Sequence, residues 1–146
     1  MPPLDRVRRL EAALLRRVRL VRPVNKAVRE AVRLICASRG QIAVSRVEPL
    51  IGISARSLER RFREMIGVHP KTLCRIARFQ YTLSLLNRQT DIAAADLVYA
   101  GGFFDQPHLL REFRQLAGLL PSAWVAERAR VGFIQYIEPL LDYSGD

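Results

Sequence analysis

Leu58-Glu-Arg-Arg-Phe-Arg-Glu-Met-Ile-Gly-Val-His-Pro70 and Leu109-Leu-Arg-Glu-Phe-Arg-Gln-Leu-Ala-Gly-Leu-Leu-Pro121 are two versions of one phrase. Both read L-x-R-x-F-R-x-x-x-G-x-x-P, and the register holds across all thirteen positions without a gap. Each copy is preceded by a short predicted helix that ends in glycine, Gly52 in the first and Gly102 in the second. A short helix, a glycine-containing turn and a longer helix make a helix-turn-helix pattern, so the repeat predicts two such units.

Within the longer helix of each unit, apolar residues recur at three- and four-residue spacing. Leu58, Phe62 and Met65 or Ile66 share one face, as do Leu109, Phe113 and Leu116. Those faces are expected to be buried against their own units. The opposite faces carry Arg56, Glu59, Arg60 and Arg63 in the first copy and Gln106, His108, Arg111 and Arg114 in the second. A cationic, hydrogen-bond-rich helix face is what the major groove of DNA accepts.

Working outward, helical periodicity continues through nearly the whole chain. Leu4, Val7, Leu10, Leu14, Val18 and Val21 line one side of a predicted N-terminal helix over 4–21, with Arg6, Arg9, Arg16 and Arg17 opposite. A second helix is expected from about Asn25 to Ser38, stopped by Gly40. Ser45-Arg46-Val47-Glu48 reads as a capping box for a third, in which Pro49 would be the fourth helical residue. Ser54 is the expected N-cap of the helix that runs to about Ile66, and Pro70 opens a long one to about Arg88. Thr90 or Asp91 is expected to cap a short helix ending at Gly101-Gly102, Asp105 to cap one ending near Ala117, and 122–130 to form the last. There is no Asn-Gly or Asp-Gly hairpin signal and almost no sustained alternation, so the predicted fold class is all-α.

Composition narrows the function classes. The 146 residues are 49% hydrophobic and 26% charged, a globular composition, and no apolar run reaches the ~18 residues of a membrane span. The start, Met-Pro-Pro-Leu-Asp, has no apolar core of the kind a secretory signal needs. Against 14 acidic residues stand 24 basic ones, of which 22 are Arg, giving a net charge of +10. That excess predicts attraction to polyanions, with nucleic acid first. Cys36 and Cys74 are too few for a disulfide scaffold or a four-ligand zinc site, and both fall in apolar helical stretches, as buried free thiols do. With only His69 and His108 besides, no metal, organic cofactor or catalytic cluster is expected, and free thiols point to a reducing, cytoplasmic compartment.

The two units and the helix between them resemble the DNA-binding domain of the AraC/XylS transcription regulators. Gly52-Ile-Ser-Ala-Arg-Ser-Leu-Glu-Arg-Arg-Phe-Arg-Glu-Met-Ile-Gly is similar to that family's first helix-turn-helix. Gly101-Gly-Phe-Phe-Asp-Gln-Pro-His-Leu-Leu-Arg-Glu-Phe-Arg, with Gly118 and Pro121, is similar to its signature second unit. The resemblance covers about residues 25–127 and implies two homeodomain-like helix-turn-helix subdomains joined by one long linker helix. It implies further that one chain places both recognition helices in successive major grooves of an operator, and that RNA polymerase is a partner. The length agrees, since nineteen helical residues span roughly 28 Å and adjacent major-groove faces recur at about 34 Å.

On that reading residues 1–22 form an amphipathic helix or linker, 23–69 the first subdomain, 70–89 the linker helix, 90–130 the second subdomain and 131–146 an apolar, acidic tail. By position, Arg56, Glu59 and Arg60 match the base readers of the first unit, and Gln106, Pro107, His108 and Arg111 those of the second. Arg60 and Arg111 suit bidentate pairing with guanine. Pro107 departs in type: proline offers no donor and can only pack against a thymine methyl or a sugar. Ser54, Arg63, Lys71, Arg75 and Arg114 are placed for phosphates, which position without specifying. Glu59 either accepts from cytosine or pairs with Arg56 or Arg63, and His108 either reaches a phosphate or completes its cap. Trp124 is expected in the core and His69 in a structural role.

Segment 4–21 has three readings: a helix packed on the domain, a homodimer contact, or the tail of an upstream domain. Family members often carry an N-terminal sensing and dimerisation domain that 22 residues cannot hold. The chain is therefore read either as a DNA-binding-only member or as part of a longer regulator. Two other classes stand beside this reading. A repair enzyme carrying the same module is disfavoured, because neither cysteine has a Pro-Cys or Cys-His neighbourhood. A protein-interaction module of the transcription machinery with degenerate DNA binding is motivated by Pro49 and Pro107 and opposed by the charge.

Overall fold

The computed structural model describes residues 25–89 and 91–131, with side chains through Glu127. Segment 4–21, Thr90 and residues 132–146 lie outside the described residues. Seven helices and no strand are found among the described residues: α1 (Lys26–Ala37), α2 (Val44–Ile51), α3 (Ala55–Met65), α4 (Pro70–Arg88), α5 (Ala94–Gly101), α6 (Gln106–Ala117) and α7 (Pro121–Val131).

Local chemistry sets most of these boundaries. The Asn25 side chain accepts from the amide of Ala27 and starts α1. Ser54 Oγ accepts from the Ser57 amide at 3.3 Å, and Asp105 Oδ1 accepts from the His108 amide at 2.7 Å, starting the two recognition helices α3 and α6. Pro70 opens α4, where its missing donor costs nothing and its fixed φ suits the first turn.

Two starts differ from the sequence expectation. The capping box at Ser45 does not form: α2 begins at Val44, with Ala43 in the cap position and no side-chain cap bond. Val44 and Val47 are three residues apart and both pack on the core, so their burial sets the start rather than the serine. Pro49 consequently lies deeper in α2 than expected, on an exposed stretch where water can reach the carbonyl it leaves without a partner. Likewise α5 begins at Ala94, capped by the Ala93 backbone and not by Asp91.

Two hydrophobic cores result, one per helix-turn-helix unit. Val28, Ala31, Ile35, Val47, Leu58 and Phe62 build the first, and Leu97, Phe103, Leu109 and Phe113 the second. The long helix α4 belongs to both: Cys74 and Ala77 in its first half join one core, Leu83 and Leu86 in its second half the other. Trp124 packs on the second core as expected. The third residue of each predicted apolar stripe does not follow the first two inside. Leu58, Phe62, Leu109 and Phe113 are buried, whereas Met65 is 39%, Ile66 38% and Leu116 37% exposed. They sit in the last turn of their helices, where little of either unit remains to cover them.

Candidate nucleic-acid interface

With each helix advancing about 100° per residue, burial of Leu58 and Phe62 turns Arg56, Arg60, Arg63 and Glu64 of α3 to solvent, and all four are exposed. Burial of Leu109 and Phe113 does the same for Pro107, Arg111, Arg114 and Gln115 of α6. The two outward arcs are therefore Arg-Arg-Arg-Glu and Pro-Arg-Arg-Gln at equivalent positions. Glu64 and Gln115 escaped the sequence reading, although the same periodicity that selected Arg60 and Arg111 points to them. Glu59 is exposed at the edge of its arc, and the place equivalent to it on α6 is held by Leu110, an apolar residue.

The structure does not bring all the expected second-unit residues together. Gln106 lines a cleft of about 510 Å³ with Leu110, Leu97 and Val125, on the flank of α6 away from Arg111. His108 is half-buried and engaged: its Nδ1 accepts from the Phe104 amide at 3.3 Å, and its ring stands edge-on to Phe103 with centroids 5.4 Å apart. An accepting Nδ1 leaves the proton on Nε2, so this ring offers a donor at its outer edge.

The turns that aim the two helices differ by one residue. Three residues, Gly52 to Ser54, separate α2 from α3, and four, Gly102 to Asp105, separate α5 from α6. Gly52 and Gly102 both adopt the left-handed conformation, with φ of 69° and 67°. In the second turn Phe103 enters the core, and the additional residue, Phe104, is 91% exposed.

Of the expected phosphate contacts, Arg63, Lys71 and Arg114 are exposed. Nη2 of Arg63 lies 3.5 Å from Nε2 of His69, the residue that caps α4, so Arg63, His69 and Lys71 cluster where α3 hands over to α4. Ser54 Oγ accepts as a cap, which leaves its O–H to donate outward. Arg75, by contrast, is occupied: its Nε donates to both oxygens of Glu112, at 2.9 and 3.2 Å, and its Nη2 to Oε1 of Gln115 at 2.7 Å. These bonds tie α4 to α6.

A second set of polar residues lies between the units and carried no sequence signal. Arg39 donates to the Tyr81 hydroxyl and lies 4.2 Å over its ring. Gln41 Nε2 donates to the Ala100 carbonyl at 3.0 Å. Arg78 Nη2 donates to the Gly40 carbonyl at 3.1 Å, while its guanidinium stands 5.8 Å from the Phe103 ring centre. Among the described residues no cluster of His, Cys, Asp or Glu could hold a metal, and no helix is long and apolar enough to cross a membrane. Burial pushes both thiols above the ordinary cysteine range, which makes them poor nucleophiles.

The model of a helix-turn-helix domain family matches residues 50–127. The chain is similar in structure to a probable AraC family transcriptional regulator from Rhodopseudomonas palustris CGA009, at 26% identity and a TM-score of 0.62. That match covers 70% of this chain and 97% of the other. It is similar in fold to the DNA-binding domain of AdpA, a global transcriptional factor solved in complex with a target DNA, at 24% identity and a TM-score of 0.63. Here 75% of this chain and 99% of the other are covered. No curated protein sequence matches the chain.

Proposed function

Since this chain belongs to the AraC-type helix-turn-helix family, we propose that it is a sequence-specific DNA-binding transcription regulator that lays α3 and α6 in successive major grooves on one side of an operator. The observation that carries the reading is the repetition of arginines at equivalent outward positions of two helices: Arg60 with Arg111, and Arg63 with Arg114. The solved complex of the AdpA domain with a target DNA, a protein of the same fold, supports the same assignment.

Capture is electrostatic, driven by the net charge of +10, and sequence is read afterwards at base edges. Arg60 and Arg111 pair with guanine, and Arg56 and Glu59 extend the reading in the first half-site. Pro107 restricts its place to an apolar contact, and His108 reaches the DNA through Nε2. Gln106 reaches a base only by leaving the cleft. Ser54, Arg63, Lys71 and Arg114 hold phosphates. Arg75 would have to give up Glu112 and Gln115 to do so, and its geometry favours an internal tie.

The test is selection of bound duplexes from a random library at physiological salt. The reading requires enrichment of a bipartite motif whose halves lie about one helical turn apart. Salt-sensitive binding without enrichment would make the protein a general polyanion binder, and no binding would favour the protein-interaction module.

A further inference from the structure

The DNA-facing arcs of α3 and α6 belong to separate cores, so something must hold one at a fixed distance and angle from the other. A shared helix does part of this, and α6 packs on the second half of α4 through the second core, where Phe79 meets Phe113 edge-on with ring centres 4.9 Å apart. Apolar packing of this kind is non-directional and tolerates small rotations, and polar bonds brace α6 and the turn that leads into it on both sides of that packing. Towards its C-terminal end, Arg75 grips Glu112 and Gln115. Before its N-terminal end, Gln41, from the loop between α1 and α2, bonds the Ala100 carbonyl in the last turn of α5. The Gln41 side chain also fills the space over Gly102, where an added β-carbon would lie 2.7 Å from Gln41 Cδ.

We propose that Gln41 and Arg75 are positioning residues that fix α6 relative to α3 and thereby decide which separation between half-sites the protein accepts. The proposal rests on the DNA-binding reading above. Neither residue is on an outward arc, so neither reads a base. Their effect is on geometry: inserting one base pair between half-sites moves the second by about 3.4 Å and turns it by roughly 35°. Two loosely tethered units would follow such a shift at little cost, whereas a pair braced by directional bonds on both sides of its shared packing cannot.

The experiment runs the random-duplex selection in parallel on the full chain and on its Gln41→Ala/Arg75→Ala variant, with helicity and melting temperature recorded for both. The native chain should enrich two half-motifs at one spacing, favoured about tenfold over spacings one base pair longer or shorter. The variant should enrich the same two half-motifs with that preference reduced to about threefold or less, and Arg75→Lys, which retains the charge, should lie between. A folded variant with a spacing preference as sharp as the native chain's overturns the proposal. So does loss of all binding, because loosened units would each still recognise their half. Failure of the native chain to enrich any bipartite motif overturns the DNA-binding reading instead, so the two failures are distinguishable.

Discussion

Gly40 is pressed against the backbone of Cys74, so that a β-carbon on Gly40 would overlap the Cys74 carbonyl oxygen and lie 2.7 Å from the Arg78 amide nitrogen. Its φ of +73° is disfavoured for any side-chain-bearing residue. Gly40→Ala is therefore expected to destabilise the protein by about 2–3 kcal/mol, lowering Tm by roughly 4 °C for each kcal/mol. Gly118 has nearly the same φ, +74°, with nothing within 4 Å, and Gly118→Ala should cost only about 1 kcal/mol. Equal losses in thermal melts would show that conformation alone, and not the packing of the loop on α4, decides the outcome.

The two recognition-helix caps should differ in strength. Asp105 accepts from the His108 amide at 2.7 Å and places a negative charge at the helix N-terminus, whereas Ser54 makes a longer, neutral bond of 3.3 Å. Asp105→Ala is expected to cost about 1 kcal/mol or somewhat more and Ser54→Ala about half as much. Denaturant titration of the two variants should return that order, and the reverse order would contradict it.

Base and phosphate roles separate on mutation. Arg111→Ala should lose about 1–3 kcal/mol on the selected site and relax the preference at one position of its half-site. Arg63→Ala should weaken all sequences alike and reduce the slope of log affinity against log salt by about one. Competition assays at several salt concentrations distinguish them: an unchanged slope for Arg63→Ala, or a uniform loss for Arg111→Ala, would reverse the assignments.

Burial raises both thiols, so the folded protein keeps its Cys36 and Cys74 protons where the unfolded chain releases them. The stability they contribute is complete below the unfolded cysteine value of about 8.5 and declines as pH rises beyond it. Alkylation by iodoacetamide at pH 8 should be markedly slower for the folded protein than in denaturant, and should accelerate only at higher pH than for the denatured chain. Equal rates at pH 8 would mean that the thiols are not shielded.

Much of this architecture is legible in the sequence. The bounds of α4, the Asp105 and Ser54 caps and the recognition-helix repeat are local features, written by residues within a turn of where they act. Ser45 is a good cap by type, yet burial of Val44 and Val47 sets the start of α2, while α5 starts at Ala94 with no side-chain cap bond although Asp91 is a good cap by type. Arg39, Gln41 and Arg78 gave no signal, since a polar residue in a loop or on a long helix looks solvated until its partner, as distant as Ala100 is from Gln41, folds against it. Gln106 and His108 fall on the cationic face when only the three- and four-residue spacing is followed, and likeness to the motif points the same way. The full 100° step counted from Leu109 and Phe113 moves Gln106 to the flank and brings Gln115 onto the face.

Because Cys74 and Ala77 complete one core and Leu83 and Leu86 the other, the two halves of the molecule are not interchangeable cassettes. A chimaera joined anywhere along α4 would inherit a seam inside at least one interior. New operator preferences are therefore to be sought by resurfacing α3 or α6 at Arg60 and Arg111, leaving the shared spine as it is. Recognition can be rewritten residue by residue, while the frame that carries it is inherited whole.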